Sequence, residues 1–253
     1  MSTSKSALNN ANLGTAADDA INNIPNLGEE LQNAMGIQID DVEASEVVLV
    51  AMLMDDSGSI RFEGNSQIVC DGHNLVIDAV TASKQGNGIL AMTKYLNGTL
   101  LFPWTPIDQV VKMDSNNFNA NGGTPLYDQT ATFLALVAAK AEEFEQNAGI
   151  PVRSISLIVT DGADIHSQHQ SAKSVASIVK GMLKSEKHII AGLGISDGQT
   201  DFNYVFQEMG VPKEWILTPA KTDKEIRAAF NLFSKSAVRQ SQNGAGSMGG
   251  FSN

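Results

Sequence analysis

The sequence predicts an α/β fold: a doubly wound, mostly parallel six-stranded sheet with one antiparallel edge strand and helices on both faces. Three features carry this. Short, continuously apolar segments such as Val47 to Met54 (VVLVAMLM) and Ser154 to Thr160 (SISLIVT) are what strands buried on both faces require. These segments alternate with helical patterns, which forces crossover connections and parallel pairing. A single Asn97-Gly98 pair between two strand-like runs marks a tight hairpin, and so one antiparallel partner.

Taken in order, residues 1–44 form a polar extension rich in Asn and Ala. Within it Leu27, Leu31 and Met35 recur at i, i+4 and i+8, lining one side of a short helix expected to pack back on the domain. The main domain, 45–238, opens with the Val47 strand. A polar loop from Ile60 to Asn74 is expected next, then a helix clearest over Leu75 to Ala82. Gly88 to Leu96 and Thr99 to Trp104 form the hairpin strands. A long helix follows, about Pro125 to Asn147, then the Ser154 strand and a helix over Ala172 to Ser185. His188 to Ile195 (HIIAGLGI), a short helix near Asn203 to Met209, a strand at Trp215 to Thr218 and a helix over Asp223 to Val238 complete the pattern. Residues 239–253, Gly, Ser and Asn with little to bury, read as a disordered tail.

Bulk properties narrow the function classes. With 42% hydrophobic and 18% charged residues the 253-residue chain has the balance of an ordinary globular protein. No apolar run approaches the roughly 20 residues needed to span a bilayer, and the polar start lacks the basic-then-apolar pattern of a secretory signal. Cys70 is the only cysteine, which excludes an internal disulfide. These observations favour a cytoplasmic protein that is not embedded in a membrane. The formal charge of −11, with no run of Lys or Arg, argues against nucleic acid as a partner.

Ligands of open α/β sheets bind beyond the carboxyl ends of the strands, and three separated segments place hard oxygen groups there. The Val47 strand runs into Asp55-Asp56-Ser57-Gly58-Ser59. The long helix is preceded by Gly122-Gly123-Thr124-Pro125, and the Ser154 strand ends in Thr160-Asp161-Gly162. Carboxylates of Asp55 and Asp161 with hydroxyls of Ser57, Ser59 and Thr124 suit a hard divalent cation, which takes oxygen ligands and keeps some waters. An ion so held stays electrophilic toward a carboxylate supplied from outside.

These residues resemble the von Willebrand factor A (VWA) family. Its metal-ion-dependent adhesion site has the form Asp-x-Ser-x-Ser, a distant Thr and a more distant Asp. Asp55-x-Ser57-x-Ser59 matches the first part, Thr124 in a GGTPL context the second, and Asp161 in IVTDG the third. The resemblance covers about Ser45 to Val238 and implies one Mg²⁺ or Mn²⁺ per chain. That ion would be bound by Asp55, Ser57, Ser59, Thr124 and Asp161, the two aspartates partly through water, and would coordinate an Asp or Glu of a protein partner. For a short cytoplasmic member it further implies either an adaptor of a ring-forming ATPase of the MoxR or chelatase type, or a component of a stress-resistance or phage-defence system similar to those of tellurite resistance. A structural or assembly subunit is the alternative, with the Asn-rich start and Gly-rich end supporting polymerisation.

Local readings compete with the metal reading at each segment. Asp, Ser and Gly dominate turns, Thr124-Pro125 has the form of a helix N-cap followed by proline at the first helical position, and Asp161-Gly162 has the form of a turn. Their joint occurrence at strand ends outweighs these. Asp56 is expected to point away from the ion. Asp164, His166 and His169 are read as a solvated loop rather than a zinc site, Cys70 as a filler or partly exposed loop residue, and His188 as structural. Enzyme signatures are missing: no Gly-x-Ser-x-Gly elbow, no Walker loop and no full dinucleotide fingerprint occur, Gly192-Leu193-Gly194 lacking the third glycine. A Mg²⁺-dependent hydrolase would need a base beside the ion, for which only Asp56 and Asp164 are candidates. The chain is therefore read as not an enzyme.

Overall fold

A computed structural model describes residues 8, 11–83, 88–242 and 250–251. Its centre is a six-stranded sheet in the order β3-β2-β1-β4-β5-β6, with β1 at Val47–Met54, β2 at Ile89–Tyr95, β3 at Leu100–Pro106, β4 at Val152–Thr160, β5 at His188–Gly194 and β6 at Ile216–Leu217. Every pairing is parallel except β2 with β3. The fold class predicted from the sequence is the one observed. Every residue of β1, β2, β4 and β5 is buried, which explains their unbroken apolar character. The edge strand β3 alternates between partly and fully buried positions and carries Pro103 and Pro106, residues that only an edge tolerates.

The helices are α1 (Thr15–Asn22), α2 (Leu27–Ala34), α3 (Gly58–Phe62), α4 (Ser66–Thr81), α5 (Leu126–Ala148), α6 (Ala172–Leu183), α7 (Phe202–Glu208) and α8 (Asp223–Gln242). On one face of the sheet α4 packs along α8, and α8 reaches β1 and β4. On the other, α5 covers β1 and β4 beside α6, with α1 laid on α6 and α2 on α5.

Three boundaries differ from the sequence reading. The loop expected over Ile60 to Asn74 is helical almost throughout, as α3 and the first half of α4. Its apolar face is interrupted in sequence by Gly72, His73 and Asn74, yet Ile68, Val69, Gly72, His73, Val76, Ile77 and Val80 are all buried. Gly72 is there because α8 lies so close: a Cβ at this position would stand 2.2 Å from the Phe230 ring. A residue that reads as a helix breaker is in fact a packing residue. Cys70 accordingly is a buried helical residue, its thiol pushed up to about 11, first by burial.

The second difference is at the amino end, where residues 15–34 belong to the main core. Ala17, Ala20, Ile21, Ile24, Leu27, Leu31 and Ala34 are buried in the same cluster as the sheet. Two buried lysines secure this segment. The Lys94 ammonium meets Glu30 at 2.8 Å, and that of Lys140 donates to the Met35 and Ile37 carbonyls at 3.0 and 2.9 Å and pairs with Glu143 at 3.0 Å. The third is at the carboxyl end. Helix α8 continues through Gln242, past the expected Val238, and Phe251 stands edge-on to Trp215 with ring centroids 4.8 Å apart. The rest of the expected tail, residues 243–249 and 252–253, lies outside the described residues.

Candidate metal centre

β1 and β4 are neighbours in register, Met54 beside Val159, so both chains leave the sheet at the same point. Asp55 bridges them. Its Oδ1 accepts the Ser57 N–H at 2.8 Å. Its Oδ2 accepts the Thr160 hydroxyl at 2.8 Å and the Asp161 N–H at 3.3 Å. With four lone-pair sites on a carboxylate, these three bonds fix the group without exhausting it.

From Asp55 the cluster continues through hydroxyls. The Ser57 and Ser59 oxygens are 2.8 Å apart, and the Ser59 hydroxyl donates to Asp161 Oδ1 at 2.7 Å. Asp161 Oδ2 is buried and has no hydrogen-bond partner. The Gly122-Gly123-Thr124 segment is drawn to the same spot by backbone pairing. Ser57 forms a parallel bridge with Gly122, the Gly122 N–H donates to the Asp56 carbonyl at 2.9 Å and the Gly58 N–H to the Gly122 carbonyl at 3.1 Å. Four of the five expected site residues thus form one hydrogen-bonded cluster. The fifth, Thr124, is two residues from the bridged Gly122 and is buried.

Burial pushes the Asp161 carboxyl up to about 6; the hydroxyls of Ser59 and Ser57 offset part of this, and the charges of Asp55 and Asp197 add to it. Asp56 is likewise pushed up to about 6, first by burial and further by Asp55, against the lowering effect of the Asn97 N–H. Asp56 is turned toward the hairpin, its Oδ1 accepting that N–H at 2.9 Å.

The loop after Asp161 does more than the sequence suggested. His166 is an exposed loop residue as expected, but it also has a structural role: its Nδ1 accepts the Thr124 N–H at 2.8 Å, and the Thr124 carbonyl accepts the N–H groups of Ile165 and His166 at 3.1 and 3.3 Å. The expected N-cap role of Thr124 falls instead to this loop. Helix α5 starts at Leu126 after Pro125, with no side-chain bond from the cap residue. Its first-turn donors are met by Asp164 Oδ1, which accepts the Tyr127 N–H at 3.1 Å, and by the Ser167 hydroxyl, which accepts that of Asp128 at 2.9 Å. Asp128 in turn accepts the N–H groups of Gln168, His169 and Gln170. No spacing rule flags a histidine that accepts from a backbone forty residues away, whereas Thr160 beside Asp161 was within reach of the sequence.

Chemically, the arrangement gathers two carboxylates with the hydroxyls of Ser57 and Ser59, Thr124 following in the segment bridged to Ser57, and it contains one buried carboxylate oxygen without a partner. Hard divalent cations take such donors, and a cation at Asp161 Oδ2 would satisfy the one acceptor left open. Among the described residues no group of three or more His, Cys, Asp and Glu is gathered as a metal site, and Asp164 and His166 are engaged with α5 and Thr124 rather than with each other.

No known family's sequence profile matches the chain, and no curated protein is similar to it in sequence. Solved structures are similar in fold. The VWA domain of SpRpn10 is 11% identical over 74% of this chain and 94% of its own, with a TM-score of 0.50. The fold is that of a von Willebrand factor A domain. Two longer proteins share it. The open form of the pilus adhesin SpaC from Lactobacillus rhamnosus GG is 14% identical with a TM-score of 0.54, covering 78% of this chain and 30% of that one. Proximal thread matrix protein 1 of the mussel byssus, with zinc in its MIDAS motif, is 19% identical with a TM-score of 0.50, covering 76% and 46%. The chain therefore spans about a third to a half of the length of these two proteins. Gly192 and Gly194, which do not complete a nucleotide fingerprint, have a packing role in this fold: a Cβ at Gly194 would lie 2.1 Å from the Phe202 ring. Among the described residues no helix is long and apolar enough to cross a membrane.

Proposed function

We propose that this chain is a non-enzymatic protein-binding module that holds one divalent cation, Mg²⁺ or Mn²⁺, through Asp55, Ser57, Ser59, Thr124 and Asp161, and uses it to bind a carboxylate of a protein partner. The observation that carries this is the hydrogen-bonded cluster of Asp55, Ser57, Ser59 and Asp161, in which Asp161 Oδ2 is buried and unpartnered. When bound, the cation would supply the positive charge that attracts an acidic side chain. The protein's part is to hold its own donors ready. Asp55 is locked between the ends of β1 and β4, Ser57 is pinned by Gly122, and the Thr124 backbone by His166.

The mussel thread protein, whose MIDAS motif takes zinc, supports divalent-ion binding as a capacity of this fold. The adhesin supports binding as its use. For the setting, we favour a cytoplasmic adaptor in a stress-resistance, phage-defence or ATPase-associated complex; the composition and the lone cysteine support the compartment, and the complex rests on the resemblance of the site motif to the VWA family alone. A structural subunit is the second reading, favoured by the thread protein. Asp56 and Asp164 each spend one carboxylate oxygen on a structural bond, Asp56 at the hairpin and Asp164 at the start of α5. The test is affinity capture from a lysate in Mg²⁺, in EDTA, and with Asp55→Ala. A partner held only by the wild type in Mg²⁺ supports the reading; a partner held equally in all three refutes it.

A further inference from the structure

Large apolar side chains scattered singly on a surface are ordinary, but here their placement is not scattered. Among the described residues four are exposed: Phe62, Val111, Ile165 and Tyr204. Three of these stand on segments that leave the carboxyl ends of parallel strands, Phe62 after β1, Ile165 after β4 and Tyr204 after β5. Phe62, 80% exposed, lies at the end of α3 with its ring 3.4 Å from where a Gly58 Cβ would be, directly against the Asp-x-Ser-x-Ser turn. Ile165, 73% exposed, is bonded through its N–H to the Thr124 carbonyl. Tyr204, 61% exposed, stands on α7, near enough for its charge and that of Glu208 to act on Tyr127 in the first turn of α5. The carboxyl edge of the sheet, which carries the oxygen cluster, thus also carries these exposed apolar side chains as its rim.

Charge on the same edge limits what can approach. Asp197 acts on Asp161, Asp164 and Glu208 act on Tyr127, and the whole chain carries −11. A polyacidic segment would gain one contact with the ion and be repelled by the rest, since like charges across an interface select against a partner.

From this rim we infer the partner's recognition element: a single Asp or Glu flanked within a few residues by large apolar side chains, in a segment without further acids. The inference rests on the proposed metal site and adds to it the sequence character of what that site receives. The carboxylate would enter over Ser59 and Asp161 while the apolar flanks cover Phe62 on one side and Ile165 with Tyr204 on the other. Burying one such side chain changes affinity by about tenfold or more.

The test is a displayed library of random twelve-residue peptides, panned on the full chain in millimolar Mg²⁺ and eluted with EDTA. The expected result is enrichment of peptides with one acidic residue and a Phe, Leu, Ile or Trp within three positions. Their binding, measured as synthetic peptides, should weaken about tenfold with Phe62→Ser and with Ile165→Ser. The thermal midpoint of each variant checks that it is folded, and Tyr204→Ser provides an independent third position. EDTA-eluted peptides that share an acid but show no apolar preference would overturn this inference and leave the metal reading standing. Peptides that neither carry a common acid nor respond to EDTA would overturn both.

Discussion

Asp161→Asn separates the electrostatic cost of the empty centre from its use. In the folded protein without metal the carboxyl titrates near 6 against an ordinary 3.8. Between those values the native state binds more protons than the unfolded state, so this group adds stability as pH falls and withdraws it as pH rises through 6. At about 1.4 kcal/mol per pH unit, the ionised carboxylate costs the metal-free fold about 3 kcal/mol above pH 6. An amide removes that charge. It keeps an acceptor for the Ser59 hydroxyl but turns an N–H₂ toward the place where Asp161 Oδ2 has no partner, and an unpaired buried donor costs about 1–3 kcal/mol. The net expectation is a variant about 1 kcal/mol more stable than wild type at pH 8 in EDTA. The advantage should vanish near pH 5 and reverse at pH 4, where the protonated wild type should be the more stable by about 1–2 kcal/mol. Urea denaturation of both proteins at pH 4, 6 and 8 measures this, and taking the difference cancels the titrations they share. Saturation with Mg²⁺ at a hundredfold excess over Kd should reverse the order, since only the wild type gains the linkage term of about 2.7 kcal/mol. A variant destabilised at pH 8 in EDTA, or a difference that does not change with pH, would refute this account of the centre.

Three further outcomes are expected. His188 and His73 are held well below the ordinary value, to about 3 and about 4, foremost by burial; the unfolded chain therefore takes up protons first, and the stability of Asp161→Asn, which lacks the titrating carboxyl of the site, should fall as pH drops below 6.5, by about 1.4 kcal/mol per unit per histidine, measurable by thermal melts of that variant from pH 7 to 5 and refuted by a flat profile. Gly72→Ala places a Cβ 2.2 Å from the Phe230 ring; overpacking of this kind costs about 1–3 kcal/mol, a fall of several degrees in Tm, and an unchanged Tm would mean that α4 and α8 are not packed as described. Deleting residues 1–41 removes Ile21, Ile24, Leu27 and Leu31 from the core at about 1.5–3 kcal/mol each and strips Lys94 and Lys140 of acceptors; the shortened chain should be unfolded or insoluble, and a soluble product with a native circular dichroism spectrum would contradict that.

The sheet was legible because its central strands are buried on both faces. Nothing polar interrupts VVLVAMLM, and Asn97-Gly98 marks the only reversal of direction. The clustering of the oxygen residues was legible for a related reason: Asp55 and Asp161 follow apolar strands that pair in parallel register, which brings both carboxylates to one edge of the sheet. The first half of helix α4 was missed because Gly72 and Asn74 are shaped by distant neighbours. One accommodates the Phe230 ring; the other accepts the Met113 N–H and donates to the Met113 carbonyl, both at 2.9 Å. Periodicity within a segment carries no trace of such partners. The same holds for His166 and Asp128, whose roles are contacts across some forty residues with the backbone of another loop. The buried face of α1 and α2 was written in Leu27 and Leu31, but the lysines that secure the segment, Lys94 and Lys140, sit in elements read as a strand and a helix with no sign of burial.

The central claim is that the cluster at the ends of β1 and β4 binds one divalent cation. Its most direct test is calorimetric titration of EDTA-stripped protein with MgCl₂ and MnCl₂ at pH 7.5, for wild type, Asp55→Ala and Asp161→Asn. The account predicts a single site per chain in the wild type and no measurable heat in either variant, with both variants still folded by circular dichroism. Absence of heat in the wild type at millimolar Mg²⁺ and Mn²⁺, or equal heats in all three proteins, would contradict it.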